Sequence, residues 1–192
     1  MTKMRVISGE CKGTRLQMVP GSHVRPTIDR VKESLFDLIG QRFSGGEVLD
    51  LFAGTGGLGI EALSRGMDRA FFVDQSNVSI HTIRENLSRT RLTKQADIFR
   101  GDARTACRLL EKQKRKFDLI FLDPPYQRPI LLPIMKELTK RNLLKIDGMA
   151  VIESPHTVDL PEEIDSWVLR KQRSYGNTMI TIYDCCQDVK GE

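Results

Sequence analysis

The chain has 192 residues, hydrophobic and charged fractions of 40% and 29%, and a net charge of +5. That length suffices for a single domain burying roughly 70% of its unfolded surface without disulfide or metal staples. No apolar run approaches the ~20 residues of a membrane span, and the opening Met-Thr-Lys-Met-Arg-Val-Ile-Ser is too polar for a signal peptide, so a cytoplasmic protein without membrane contact is expected.

The basic charge sits at the front: residues 1–46 carry eight Lys/Arg against four Asp/Glu, and the remainder is almost neutral. A polyanionic partner is one reading of such an imbalance and a plain solvated surface is the other. Within this part, residues 4–19 read as two short strands about a Gly9–Gly13 turn, decorated by Arg5, Lys12 and Arg15. A hairpin this short buries little by itself, so it either packs on the main body or projects to touch something. Pro20-Gly21-Ser22-His23 reads as a linker. Arg25-Pro26-Thr27 opens a helix with Thr27 as cap, and Ile28, Val31, Leu35, Leu38 and Ile39 form its apolar face up to a stop at Ser44-Gly45-Gly46.

From Glu47 the pattern alternates strand and helix. The stretch Val48-Leu49-Asp50-Leu51-Phe52-Ala53-Gly54-Thr55-Gly56-Gly57-Leu58-Gly59 reads as a buried strand, a glycine turn and a helix start, with Gly54, Gly56 and Gly59 spaced as G-x-G-x-x-G. Strands are predicted at 47–52, 70–74, 97–100, 117–122 and 148–153. Helices are predicted from the glycine turn to Arg65, at 76–90 with Val78, Ile80, Ile83 and Leu87 inward, at 103–112 and at 130–141. Two late strands near 166–173 and 178–185 are joined by Tyr175-Gly176-Asn177, a turn tight enough to make them antiparallel. Cys11, Cys107 and the adjacent Cys185-Cys186 lack the C-x-x-C spacing of a zinc site, so no metal is expected.

The predicted fold is α/β: a doubly wound, Rossmann-like, seven-stranded sheet, mostly parallel, with a C-terminal antiparallel hairpin. All of 1–192 is expected to be one domain, with 1–24 as N-terminal β-hairpin extension and linker and 25–192 as core. Ligands of such sheets bind beyond the carboxyl ends of the strands. Asp50, Asp74, Asp102 and Asp123 fall at or near four successive strand ends. Asp74 lies 20 residues past Gly54, where an acid takes two ribose hydroxyls. Asp102 suits an adenine amine, or equally the cap of helix 103–112. These positions fit a nicotinamide dinucleotide or S-adenosyl-L-methionine; a P-loop is disfavoured because Ile60-Glu61 follows Gly59.

Asp123-Pro124-Pro125-Tyr126 decides between them. The prolines fix the chain as it leaves its strand. The Asp123 carboxylate and Pro124 carbonyl become acceptors for an amine whose lone pair is delocalised into a base, and Tyr126 stacks on that base. Together with Val48–Gly56, this motif resembles the class I S-adenosylmethionine-dependent methyltransferases that act on amino nitrogens. Arg5-Val6-Ile7-Ser8-Gly9, Gly13-Thr14-Arg15-Leu16, Arg25-Pro26-Thr27-Ile28-Asp29-Arg30-Val31-Lys32-Glu33-Ser34-Leu35-Phe36 and Gly59-Ile60-Glu61-Ala62-Leu63-Ser64-Arg65-Gly66 extend the match over nearly the whole chain. In these blocks the chain resembles the RsmD family, whose members methylate a guanine N2 of bacterial 16S ribosomal RNA. Tyr126 stands where related sequences often carry Phe.

The resemblance implies that Asp50, Gly54, Gly56, Asp74 and Asp102 line the cofactor pocket, joined by Phe52 and Thr55 of the same stretch and by Thr27. It implies that Asp123, Pro124 and Tyr126 hold the target amine, and that Arg5, Lys12 and Arg15 contact RNA. The product would be S-adenosyl-L-homocysteine, the partner 16S rRNA or the small ribosomal subunit, and the protein a monomer. Rival readings are an adenine-N6 methyltransferase acting on DNA or RNA, a nicotinamide-dependent oxidoreductase, and a non-catalytic RNA-binding module.

Overall fold

The computed structural model describes residues 4–20, 28–125 and 130–186. It divides into two compact units, the first ending at Gly101 and the second beginning at Asp102. The predicted roles of Thr27 and Tyr126 fall outside the described residues.

The first unit contains α1 (Ile28–Ile39), β1 (Glu47–Asp50), α2 (Gly57–Ser64), β2 (Arg69–Asp74), α3 (Asn77–Thr90) and β3 (Ala96–Arg100). Its strands lie in the order β3-β2-β1 and are parallel, with Val48 opposite Ala70 and Ala70 opposite Ala96. Val48, Leu49 and the run Ala70–Val73 are buried, as parallel strands covered by helices should be. Helix α2 packs on β1 and β2, and α3 packs on β2 and β3. Gly59 makes the first contact possible: a Cβ there would stand 2.3 Å from the Phe72 ring.

Three local expectations are corrected here. Helix α1 ends at Ile39 rather than at Ser44, because Gly40 leaves at φ 128° while its N–H still caps Phe36 O at 3.0 Å. Val78 is 47% exposed, and the inner face of α3 is completed by polar Ser79, Thr82, Asn86 and Thr90.

The third correction concerns residues 4–16. They do not form two strands; a single antiparallel bridge joins Arg5 to Arg15. Backbone bonds flank it, Val6 N to Thr14 O at 3.0 Å and Leu16 N to Met4 O at 2.9 Å. Lys12, Gly13 and Thr14 donate within the segment, and four further donors are diverted to α2. Ile7 and Ser8 donate to the Glu61 carboxylate, each at 2.9 Å, Glu10 N to Ser64 O at 2.8 Å and Cys11 N to Ser64 Oγ at 3.0 Å. Gly9 permits the approach, since a Cβ there would fall 1.7 Å from Ser64 O. Further along, Gln17 N donates to Asn86 Oδ1 at 2.6 Å. The segment is therefore laid along α2 and α3 rather than projected.

The second unit contains α4 (Ala103–Lys112), β4 (Phe117–Leu122), α5 (Leu131–Lys140), β5 (Leu144–Pro155), β6 (Glu163–Ile164), β7 (Trp167–Tyr175) and β8 (Thr178–Cys185). The order is β4-β5-β8-β7-β6; β4 and β5 are parallel and the remaining pairs antiparallel, including the predicted β7–β8 hairpin. The described residues thus form eight strands rather than seven. The extra one, β6, is two residues long and pairs only with Trp167 and Val168, too short to leave an alternation in the sequence. Trp167 and Tyr183, both fully buried, anchor this end, and the Tyr183 hydroxyl donates to Pro161 O at 2.5 Å. No helix among the described residues is long and apolar enough to cross a membrane.

Candidate active site

In the first unit, β1 delivers Asp50 into the core at 2% exposure, where Oδ2 accepts the Gly59 N–H at 3.0 Å. That bond ties the end of the strand to the first turn of α2. Burial pushes the Asp50 carboxyl up to about 7; the Gly59 bond opposes this and the nearby Asp74 charge adds to it. The turn itself needs its glycines, with φ 54° at Gly54 and 79° at Gly56. A Cβ on Gly54 would meet nothing within 4 Å, so the turn faces open space there.

Asp74, at the end of β2, braces this turn. One carboxylate oxygen accepts Gly54 N–H at 2.9 Å and the other Ser76 N–H at 2.8 Å. A carboxylate offers about four acceptor positions, so two bonds leave capacity for the hydroxyls of a ligand. Asp74 is half-buried, as are Phe52, Gly54 and Thr55, and Gly56 is buried. Thr55 is held from three sides: its hydroxyl accepts Gly57 N–H at 3.3 Å and donates to Met4 Sδ at 3.7 Å, and its carbonyl accepts from Asn86 Nδ2 at 2.8 Å.

In the second unit, Asp102 caps α4. It accepts from Thr105 N at 3.0 Å and from Thr105 Oγ1 at 2.7 Å, and the Thr105 hydroxyl first and then its N–H hold the exposed carboxyl below the usual range. The capping reading of Asp102 is thus realised, and its free acceptor positions face solvent. Asp123 follows the end of β4, half-buried, with Pro124 buried and Pro125 exposed. The last β4–β5 pair is Leu122 with Ile152, so Asp123 and Glu153 are the next residues along their strands.

Arg5, Lys12 and Arg15 are exposed. Arg5 and Arg15 face each other across the bridge, so two like charges are held opposite one another. Lys12 lies on the turn that packs near Ser64, between Cys11 and Gly13. No group of His, Cys, Asp and Glu among the described residues is arranged to hold a metal.

One group escaped the sequence reading. Glu61, fully buried, pairs with Lys32 Nζ at 3.2 Å and with Arg65 Nε at 2.8 Å, and Lys32 Nζ also donates to Arg5 O at 2.7 Å. Arg65 lies over the Phe36 ring at 4.5 Å. The signal was an acid in the middle of Gly59-Ile60-Glu61-Ala62-Leu63, an otherwise apolar helix.

A glycine turn braced by the acid of the next strand, and an Asp-Pro-Pro exit from β4, are features of a nucleotide-cofactor transferase on an α/β scaffold. Residues 4–184 match the family described as conserved hypothetical protein 95. The chain belongs to that family, the RsmD-type methyltransferases. YlbH of Bacillus subtilis (strain 168) is 46% identical over 180 residues, 94% of this chain and 98% of that one. Ribosomal RNA small subunit methyltransferase D of Haemophilus influenzae is 30% identical over 184 residues, 94% and 93% of the two chains. The solved structure of Escherichia coli YhhF matches with a TM-score of 0.81 at 29% identity, over 96% of this chain and 98% of that one.

Proposed function

We propose that this protein transfers a methyl group from S-adenosyl-L-methionine to the exocyclic N2 amine of a guanine in bacterial 16S ribosomal RNA. It acts in the cytoplasm as a monomeric, single-domain enzyme without a metal. The observation that carries the reading is the Asp123-Pro124 exit at the end of β4, combined with a glycine turn whose Asp74 brace keeps acceptor capacity beside open space. The relatives named for ribosomal RNA methylation supply the substrate class.

The residues present fit the cofactor. The open face of Gly54 gives room for it and Asp74 would take its ribose hydroxyls; Asp50, Phe52, Thr55, Gly56, Asp102 and Thr27 are assigned to cofactor binding by the family resemblance alone. The cofactor supplies an electrophilic methyl carbon on a positively charged sulfur. The chain's part is to position the nucleophile. The Asp123 carboxylate and the Pro124 carbonyl accept the two N–H bonds of the guanine amine, turning its nitrogen toward the methyl carbon, while Tyr126 stacks on the base. Asp123 or water would take the proton that the amine loses when it accepts the methyl group that the cofactor's sulfur gives up. A paired N2 cannot reach such a site, so the guanine is everted or already unpaired. Positioning and acceptor electrostatics then supply most of the rate. Arg5 and Arg15 are assigned to the RNA backbone, which would relieve their mutual repulsion across the bridge, and Lys12 extends the same contact.

The test is transfer of labelled methyl to small ribosomal subunits from cells lacking the protein, followed by nucleoside analysis. Label in N2-methylguanosine is expected; label in N6-methyladenosine would overturn the base, and no cofactor binding would sink the reading. Asp123→Ala should retain cofactor binding and lose on the order of a hundredfold or more in turnover.

A further inference from the structure

Strand β7 carries Arg170-Lys171-Gln172-Arg173 in succession, all exposed. Its neighbour β6 pairs only with Trp167 and Val168, and Leu169 N donates to Glu162 O just before β6, so from Arg170 to Tyr175 the outer edge of β7 has no strand partner among the described residues. Arg170 falls at the register shift between Leu169 and Lys171 and is drawn to Asp184 at 3.4 Å. Beyond it, Lys171, Arg173 and Tyr175 alternate along the strand and share one face, opposite Ile182, Ile180 and Thr178 of β8.

This face leads to the amine site within the same unit. Arg173 is opposite Ile180, Ile180 is opposite Glu153, and Glu153 follows the last β4–β5 pair just as Asp123 does. Arg173 therefore stands in the row of Asp123, three strands across, about 14 Å at the usual strand spacing. A stacked nucleic-acid strand covers that distance with about four phosphates at ~3.4 Å each.

Charge is sorted along the edge as well. Asp159, Glu162, Glu163 and Asp165 precede β7, whereas Ser166–Tyr183 contains three cations and no acid. Charged edges also guard sheets against strand addition. That purpose favours Lys but needs no particular row; it gives no reason for the cations to stand beside a half-buried tyrosine at the end of β7 that shares its row with Asp123.

We propose that the outer edge of β7, through Lys171 and Arg173 with Tyr175 beside them, is a second RNA-binding surface that holds the phosphate backbone of the strand flanking the target nucleotide. The proposal rests on the reading of Asp123 as the amine site. Its test compares two full-length double variants for affinity to a small-subunit ribosomal RNA transcript across a potassium chloride series. One is Lys171→Ala with Arg173→Ala. The other, Lys112→Ala with Lys116→Ala, removes the same charge beside the opposite end of β4.

The β7 variant should lose on the order of tenfold in affinity, and its log–log salt slope should fall by about 1.4 to 1.8, the release from two phosphates. The second variant should keep the wild-type slope. Lys171→Gln with Arg173→Gln, which retains the aliphatic stems, should reproduce the loss of slope. An unchanged slope in the β7 variant, or equal losses in both Ala pairs, would overturn the proposal. Methyl transfer by the wild-type protein, measured alongside, separates the two readings. A lost slope with an inactive wild type supports the RNA surface and removes the methyl-transfer reading; an active wild type with an unchanged slope does the reverse.

Discussion

Replacing Glu61 with Ala should loosen the N-terminal segment and destabilise the whole protein. The carboxylate is fully buried, and four donors converge on it: Arg65 Nε at 2.8 Å, Lys32 Nζ at 3.2 Å, and the N–H groups of Ile7 and Ser8 at 2.9 Å. Removing one partner of a buried ion pair costs about 3–5 kcal/mol because the remaining charge stays out of water. Each orphaned backbone N–H adds about 1–3 kcal/mol unless water reaches it. The cheapest response is for residues 4–17 to lift from α2, admitting water and capping the loss near 3–5 kcal/mol. For a chain of this size that corresponds to a fall of about 6–20 °C in melting temperature. The assay is thermal unfolding combined with limited trypsin digestion, since the lifted segment presents Lys12 and Arg15. A Glu61→Ala protein that melts within about 2 °C of wild type and is cleaved no faster there would refute the reasoning.

Two further outcomes follow from buried oxygens. Burial lifts the Asp50 carboxyl to about 7 in the folded protein from its ordinary 3.8, so the native state binds the extra proton between those values and stability falls as pH rises through that window. Its full effect is on the order of 4 kcal/mol. Asp50→Asn keeps an acceptor for Gly59 N–H, and should flatten the change in urea midpoint between acid and alkaline buffer; an identical pH profile in both proteins would exclude Asp50 as its source. Ser154 Oγ is buried without a hydrogen-bond partner among the described residues, so Ser154→Ala should stabilise the fold by about 1 kcal/mol, read as a higher denaturation midpoint. A loss of stability would mean that the hydroxyl has a partner.

Local chemistry carried much of the fold into view. Parallel strands wrote themselves as apolar runs at Val48–Leu49, Phe71–Val73 and Leu119–Leu122, and the glycine turn announced the strand–helix junction between β1 and α2. The acids at the strand ends were legible for the same reason: a residue that follows a strand inherits its position from the strand. Both readings of Asp102, acceptor of an adenine amine or cap of a helix, were legible too, and the cap is formed because Thr105 presents both its hydroxyl and its N–H.

What the sequence by itself determined is therefore the alternation of elements, the glycine turn, and the order in which acids reach the strand ends, all set by neighbours a few residues away. Tertiary structure alone decided the rest. Glu61 became the clamp of residues 7 and 8 across a separation of more than 50 positions, and Asn86 became the anchor of Gln17 and Thr55. Those contacts tie the N–H groups of Ile7, Ser8 and Gln17 to helices, and one bridge stands where two strands were predicted. They depend on a buried polar group finding its partner through space, and the spacing of residues along the chain holds no record of that distance.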